Sequence, residues 1–297
     1  MKLALFVSAW GNELSIGDAI LHARVQAMDG IEAPPPTSPS SRAAAATHLD
    51  EYGLHYIAEI VTGGGYAPNP SATAQQHLDD LDRQIEAAMD LRPLKFNCLL
   101  GIDAWASSLQ IDVFGKALER IAKTGTPAVF ETHRSRPTFN PWHTRDLLAA
   151  LPELRLNCDF SHWCAVAERL VMNDDPDLLR TFAERCDHLH ARVGYEQGPQ
   201  VPDPRAPEYA EALTSHLNWW QTVWLAQQQR GTMLTTMTPE FGPDGYLHRI
   251  PFTGTPVADL RELNQWMADN LRSQWTDFLG STDRHTTPPP QSYDLHQ

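Results

Sequence analysis

Residues 127–131 read PAVFE, 154–159 LRLNCD, 186–190 CDHLH and 233–240 MLTTMTPE. Each run is short and mostly apolar, β-branched or cysteine-containing, and each ends on a carboxylate or an imidazole: Glu131, Asp159, His190 and Glu240. A polar or Pro/Gly-rich turn follows. Short apolar runs bounded by turn residues are the pattern of strands buried on both faces. Ionisable side chains where four successive strands end describe a parallel barrel with its chemistry at the C-terminal mouth. Three carboxylates and one imidazole are mainly hard oxygen donors, suited to one Mn²⁺ or Mg²⁺; the imidazole also admits Co²⁺ or Zn²⁺.

Working outward, strand-like runs cover 3–8, 29–33, 54–61, 94–100, 127–132, 154–160, 188–193 and 233–240, with starts 25 to 45 residues apart. Helical stretches lie between them, at 16–27, 41–52, 113–123, 144–151, 175–185, 209–229 and 256–279. The clearest helix opens at Ser71 and carries Leu78, Leu81, Ile85 and Met89 on one face. Eight strand–helix units predict an α/β fold, a (β/α)8 TIM barrel over residues 1–280, with a polar Pro-rich tail over 281–297. An open doubly wound sheet would place a GxGxxG turn after the first strand, and Trp10-Gly11-Asn12-Glu13 supplies none. Thr62-Gly63-Gly64-Gly65 lacks that spacing too and reads as a mobile loop at the mouth. The long segment 194–207 (GYEQGPQVPDPRAP) reads as a shaped lid, since prolines restrict it before it closes.

Composition sets the bounds. Against 23 Lys and Arg stand 37 Asp and Glu, a formal net charge of −14, which opposes binding to nucleic acid or an anionic membrane. No stretch approaches the roughly 20 apolar residues of a membrane helix. The opening apolar run, Leu3 to Val7, is shorter than the roughly 7–15 residues of a signal-peptide core and reads as a first buried strand. Cys98, Cys158, Cys164 and Cys186 form no CxxC pair and read as structural thiols of a cytoplasmic protein. Nothing marks a phosphate pocket, neither GK[ST] nor a basic cluster, so a neutral, non-phosphorylated polyol is the expected substrate.

FETH around Glu131, Asp159-Phe-Ser-His162, His188-Leu-His190 and Pro239-Glu240-Phe-Gly together resemble the xylose-isomerase-like barrels, a family of sugar isomerases, ketose 3-epimerases, inosose dehydratases and endonuclease-IV-type nucleases. The resemblance spans nearly the whole chain. It implies that Glu131, Asp159, His190 and Glu240 hold one divalent metal and that His162 contacts a substrate hydroxyl. It further implies proton abstraction next to a carbonyl through a metal-stabilised enediolate, with Glu131 and Glu240 on opposite sides of the reacting carbon.

By the period of two, His188, His190 and Arg192 share one strand face: His188 deep in the barrel, Arg192 highest, where it reaches sugar oxygens or orients Glu240. Trp10, Trp105, Trp163 and Phe241 stand near strand ends and are expected to stack on a sugar or close the mouth. The expected partner is a small sugar or polyol, with homo-oligomerisation open. An inosose-dehydratase-like lyase shares the first chemical step. A multi-metal phosphodiesterase is disfavoured, because 203–205 reads Asp-Pro-Arg where that branch needs a second histidine. A metal-free binding protein requires the four ligands not to converge.

Overall fold

The computed structural model describes residues 1–10, 15–243 and 245–286, with 282–286 as backbone alone. Eight parallel strands close into a barrel in sequence order: β1 (Lys2–Ser8), β2 (Gly30–Ala33), β3 (His55–Val61), β4 (Lys95–Leu99), β5 (Ala128–Glu131), β6 (Leu156–Cys158), β7 (Cys186–Ala191) and β8 (Leu234–Pro239). The α-helices among the described residues are α1 (Ile16–Val25), α2 (Pro39–Tyr52), α3 (Ala74–Met89), α4 (Ser107–Ala122), α5 (Pro141–Ala150), α6 (Phe160–Ala167), α7 (Pro176–Arg185), α8 (Ala210–Gln229) and α9 (Leu260–Thr286). The expected eight-stranded barrel is therefore present.

Local chemistry explains the boundaries. Ser38 caps α2 ahead of Pro39, and Gly53 ends it in the left-handed region at φ 63°. α3 is capped two residues later than the expected Ser71, because Thr73 and Gln76 form a reciprocal capping box. α6 was not expected at all: FSHWCAVA is apolar enough to read as a continuation of strand six, but Asp159 caps its first turn through Ser161 N. α9 runs to Thr286, past the expected start of the tail, and 287–297 lie outside the described residues, as do Gly11, Asn12 and Glu13.

The main core lies between barrel and helices, where Leu81, Phe114, Phe130, Trp163, Trp220 and Trp224 are buried. Trp163, expected at the mouth, is in this layer. Its indole donates to Thr138 O at 2.9 Å. All four cysteines are free and buried there. Inside the barrel the filling is different. A small apolar plug of Ala4, Phe6 and Ile57 closes the lower end, and the rest is polar: Glu32, Glu59, Lys95, Asn97, Glu131, His188, His190, Thr236 and Thr238 are all buried. A polar interior on this scale is tolerable only if its groups satisfy one another.

The loop read as mobile and the one read as a shaped lid are both anchored. The guanidinium of Arg136, 1 % exposed, donates to the carbonyls of Thr62 (3.1 Å), Gly101 (3.1 Å), Tyr66 (3.2 Å) and Gly65. It ties the 62–66 turn to the loops after β4 and β5. Gly63 sits at φ 75°, and a Cβ there would meet the His77 ring at 2.3 Å. The 194–207 segment is pinned as well: Gln200 exchanges two hydrogen bonds with Gly242, Val201 N bonds Val193 O, and Arg205 pairs with Glu262 on α9. These bonds give the segment the shaped, restrained form that its prolines predict.

Arg136→Met should leave these carbonyls without their charged donor and cost about 3 kcal/mol. Denaturant unfolding measures it; a loss under about 0.5 kcal/mol would show that the loops hold themselves.

Candidate metal centre at the barrel mouth

Parallel registration brings the ends of β5 to β8 together: Glu131 pairs with Asn157, Asn157 with His188 and His190 with Thr238. One ligand atom from each of Glu131, Asp159, His190 and Glu240 lies within 4.8 Å of the others, and all four residues are buried. The four residues singled out from separate strand ends thus converge.

His190 is the hinge of the group. Its Nε2 lies 3.1 Å from Glu32 Oε1. Glu32 is an acceptor when ionised, so that nitrogen carries the hydrogen. The opposite nitrogen, Nδ1, is 2.8 Å from Glu240 Oε2 and 3.7 Å from Glu131 Oε2. Nδ1 is buried and has this ion-pair contact with Glu240 but no well-formed hydrogen bond. Loss of the proton that the surrounding carboxylates hold on His190 would leave Nδ1 with a lone pair facing Glu131, Asp159 and Glu240, as an imidazole ligand presents when a carboxylate behind it fixes the tautomer. The donor set fits a hard dication.

Glu32 was missed in the sequence. It accepts from Thr238 Oγ1, from Asn97 Nδ2 at 2.8 Å and from His188 Nε2 at 3.1 Å. Behind it, Lys95 Nζ donates to Thr236 Oγ1 at 2.9 Å, and that hydroxyl is 2.8 Å from His188 Nδ1. Burial alone would raise the Glu32 pKa, but His190 and His188 hold it well below the usual carboxylate range. His188 is pulled down to about 4 by burial and stays neutral. This places it in the deeper barrel layer, as its position predicted. Burial opposes charge on His190 too, but Glu240, Glu32 and Glu131 outweigh it and raise its pKa well above the ordinary value. Glu131 is pushed up to about 8 by burial and by Glu240 and Asp159, against the pull of His190. Glu59, also missed, is raised by burial and by Glu32, Glu240 and Glu131, and accepts from Tyr66 Oη at 3.1 Å. An ionisable residue inside the apolar run HYIAEIV was the available signal.

Arg192 enters the group from above. Its Nη2 contacts Asp159 Oδ2, lies 2.9 Å from His162 Nε2 and 3.5 Å from Glu240 Oε2, while Nε reaches Ser161 Oγ at 3.2 Å. Asp159 is held from both sides, because its Oδ1 accepts from Ser161 N and Oγ.

A cavity of about 430 Å³ opens over Glu131 and Glu240. Its aromatic wall is Trp10, Tyr66 and Tyr246, and its polar wall includes Glu59, His133 and Arg134. Arg192 lines it. Trp105 instead packs edge-on against His77 at 5.0 Å, and Phe241 is buried with its backbone bonded to Asn264, so neither lines the cavity. His162 lies behind the wall, fully buried, its ring 4.1 Å from that of His133.

A closed (β/α)8 barrel carrying a carboxylate–imidazole cluster at its C-terminal mouth belongs to a class whose chemistry is assembled from strand ends. A family model described as a xylose isomerase-like TIM barrel matches residues 23–205, and the chain belongs to that family. No curated protein sequence matches it. Among solved structures, an L-ribulose 3-epimerase covers 97 % of this chain and 99 % of its own at TM-score 0.66 and 13 % identity. A probable 3-DHS dehydratase of petrobactin synthesis from Bacillus anthracis reaches TM-score 0.62 at 13 % identity, covering 91 % and 98 %. Endonuclease IV from Thermus thermophilus reaches 0.59 at 15 %, covering 93 % and 100 %. At these identities the likeness establishes the fold.

Glu131, Glu59 and His190 all hold protons more tightly folded than unfolded. Buried His77, His133, His162, His188 and His216 have lowered pKa values and act in the opposite sense below the ordinary histidine value of 6.5. Only above it do the three raised groups set the slope: from about pH 7 to about 8 the unfolded chain binds fewer protons, and stability of metal-stripped protein falls as pH rises. Thermal midpoints in chelator should drop from about pH 7 to about pH 8, and Mn²⁺ should restore more at the upper end. A midpoint that holds or rises over that range would contradict the assigned protonation.

Proposed function

We propose that the chain is a divalent-metal-dependent sugar isomerase or epimerase, acting by proton abstraction next to a carbonyl. The observation that carries this reading is the buried, unbonded Nδ1 of His190, turned toward Glu131, Asp159 and Glu240 while Glu32 occupies Nε2. Those four residues would hold one ion, Mn²⁺ or Mg²⁺ by donor chemistry. Such an ion supplies Lewis-acid polarisation of a carbonyl and its neighbouring hydroxyl.

The chain's own residues do the rest. Glu131 comes from β5 and Glu240 from the end of β8, so two carboxylates reach the cavity from either side of His190. One removes a proton from the carbon beside the carbonyl, and the other returns one. Asp159, fixed by Arg192 and Ser161, keeps its geometry through the cycle. Trp10, Tyr66 and Tyr246 offer flat apolar surface for the C–H face of a sugar and exclude water from the reacting carbon.

A lyase of the dehydratase type is the second reading, favoured by His133. Its Nδ1 donates to the Arg134 carbonyl and burial keeps the ring neutral, which leaves the other nitrogen as an acceptor at the cavity it lines, where it could take a substrate proton and return it to the leaving hydroxyl. A phosphodiesterase is less supported. Asp203 pairs with Arg205, which also pairs with Glu262, and neither lines the cavity, so the 194–207 segment brings no further ligand.

Purified protein should hold one divalent ion per chain. Glu32→Gln, which touches no proposed ligand atom except through His190, should weaken metal affinity about 10- to 100-fold. With Mn²⁺, a panel of ketoses and inososes in deuterated water should take up deuterium beside the carbonyl, and Glu131→Gln should stop it. Two or three tight ions per chain, with phosphodiester cleavage and no exchange, would replace this reading with the hydrolase.

A further inference from the structure

Three arginines approach the mouth, and two are committed. Arg136 is spent on four backbone carbonyls, and Arg192 on Asp159, Ser161 and His162. Arg134 makes no side-chain hydrogen bond or ion pair among the described residues. It lies half-buried on the cavity wall with its guanidinium 5.2 Å from the centre of the Tyr246 ring, a ring that also carries Arg192 at 4.7 Å.

This placement is built by the loop after β5. His133 Nδ1 bonds the Arg134 carbonyl, Arg136 N bonds His133 O at 3.2 Å, and Asp103 N bonds Ser135 O at 3.3 Å. Ser135 adopts φ 65°, a left-handed conformation uncommon outside glycine. The turn presents Arg134 and Ser135 together to the cavity, and the Ser135 hydroxyl also has no bonding partner among the described residues.

No carboxylate on the wall is a counter-ion for Arg134. Glu131 and Glu240 face His190, and Glu59 is engaged by Tyr66. An uncommitted guanidinium, stiffened by an aromatic ring, is a planar fork for a carboxylate or phosphate. The cavity's roughly 430 Å³ suits a small sugar bearing one such group.

We propose that Arg134, with the Ser135 hydroxyl, binds an anionic group on the substrate, so that the site takes an acidic sugar derivative in preference to a neutral ketose. This rests on the isomerase reading and specifies its substrate class. It reverses the expectation of a neutral polyol, which followed from the carboxylate-rich ligand set and the lack of a GK[ST] or basic cluster. The binding charge is a single residue placed by a turn.

The test is calorimetric binding of three unreactive five-carbon analogues, xylitol, xylonate and xylitol 5-phosphate, to Mn²⁺-loaded full-length protein. One anion should bind at least about tenfold tighter than xylitol, and which one does so separates carboxylate from phosphate. Arg134→Gln should shrink that ratio to within about twofold, with Arg134→Lys intermediate, melting midpoints confirming that both variants fold. Equal affinity for all three, no anion binding at about 10 mM, or a preference that survives Arg134→Gln would each overturn the proposal. Binding requires no turnover, so tight anion binding with no deuterium exchange into either neutral ketoses or keto sugars bearing the preferred anionic group would remove the isomerase reading and leave the anion site standing.

Discussion

A buried carboxylate inside a barrel needs donors enough to replace water, and Glu32 has them. Thr238, Asn97, His188 and His190 all reach it, drawn from β8, β4 and β7. Its negative charge decides which nitrogen of His190 holds hydrogen and so which one turns toward Glu131, Asp159 and Glu240. The strands that supply these donors lie around the ring from β2, so the network also fixes the shape of the barrel's polar upper half. Removing the carboxylate would leave several buried donors unpaired, a larger cost than any one of the bonds is worth.

Charge balance follows from the same crowding. Glu32, Glu59, Glu131, Asp159 and Glu240 occupy one small volume, and the chain neutralises them in three different ways. Glu59 and Glu131 retain protons, His190 carries one, and Arg192 brings a fixed positive charge. A dication at this point would displace the mobile protons but not Arg192, whose guanidinium is bonded on three sides. Metal affinity and pH are thereby linked through residues whose roles were assigned on coordination grounds alone.

Much of this was legible in the sequence, for physical reasons. Strands buried on both faces read as apolar runs, and the side chains that terminate them point into one volume once the barrel closes; Glu131, Asp159, His190 and Glu240 were found by that logic. Glu32 and Glu59 escaped it because they lie inside their strands, followed by Ala33 and by Ile60-Val61, and do not terminate them. Trp105 and Phe241 were placed at the mouth by position, but an aromatic ring near a strand end can turn outward into the helical layer as readily as inward. The 62–65 segment looked mobile by its glycine content, and 194–207 looked shaped by its prolines. Their anchors, Arg136 and Gln200, come from or bond to loops distant in sequence, and composition carries no trace of such long-range bonds.

Lys95, Thr236, His188, Glu32 and His190 form a continuous line from the closed end of the barrel to the open one. The ammonium orients a hydroxyl, the hydroxyl selects a tautomer, and that tautomer sets the face a carboxylate shows to the next imidazole. Barrels commonly diversify by exchanging mouth loops on an indifferent floor. Here the floor is part of the instruction, and a graft of the mouth residues onto another scaffold would arrive with its imidazoles unassigned. For this chain the transplantable unit is the whole polar axis.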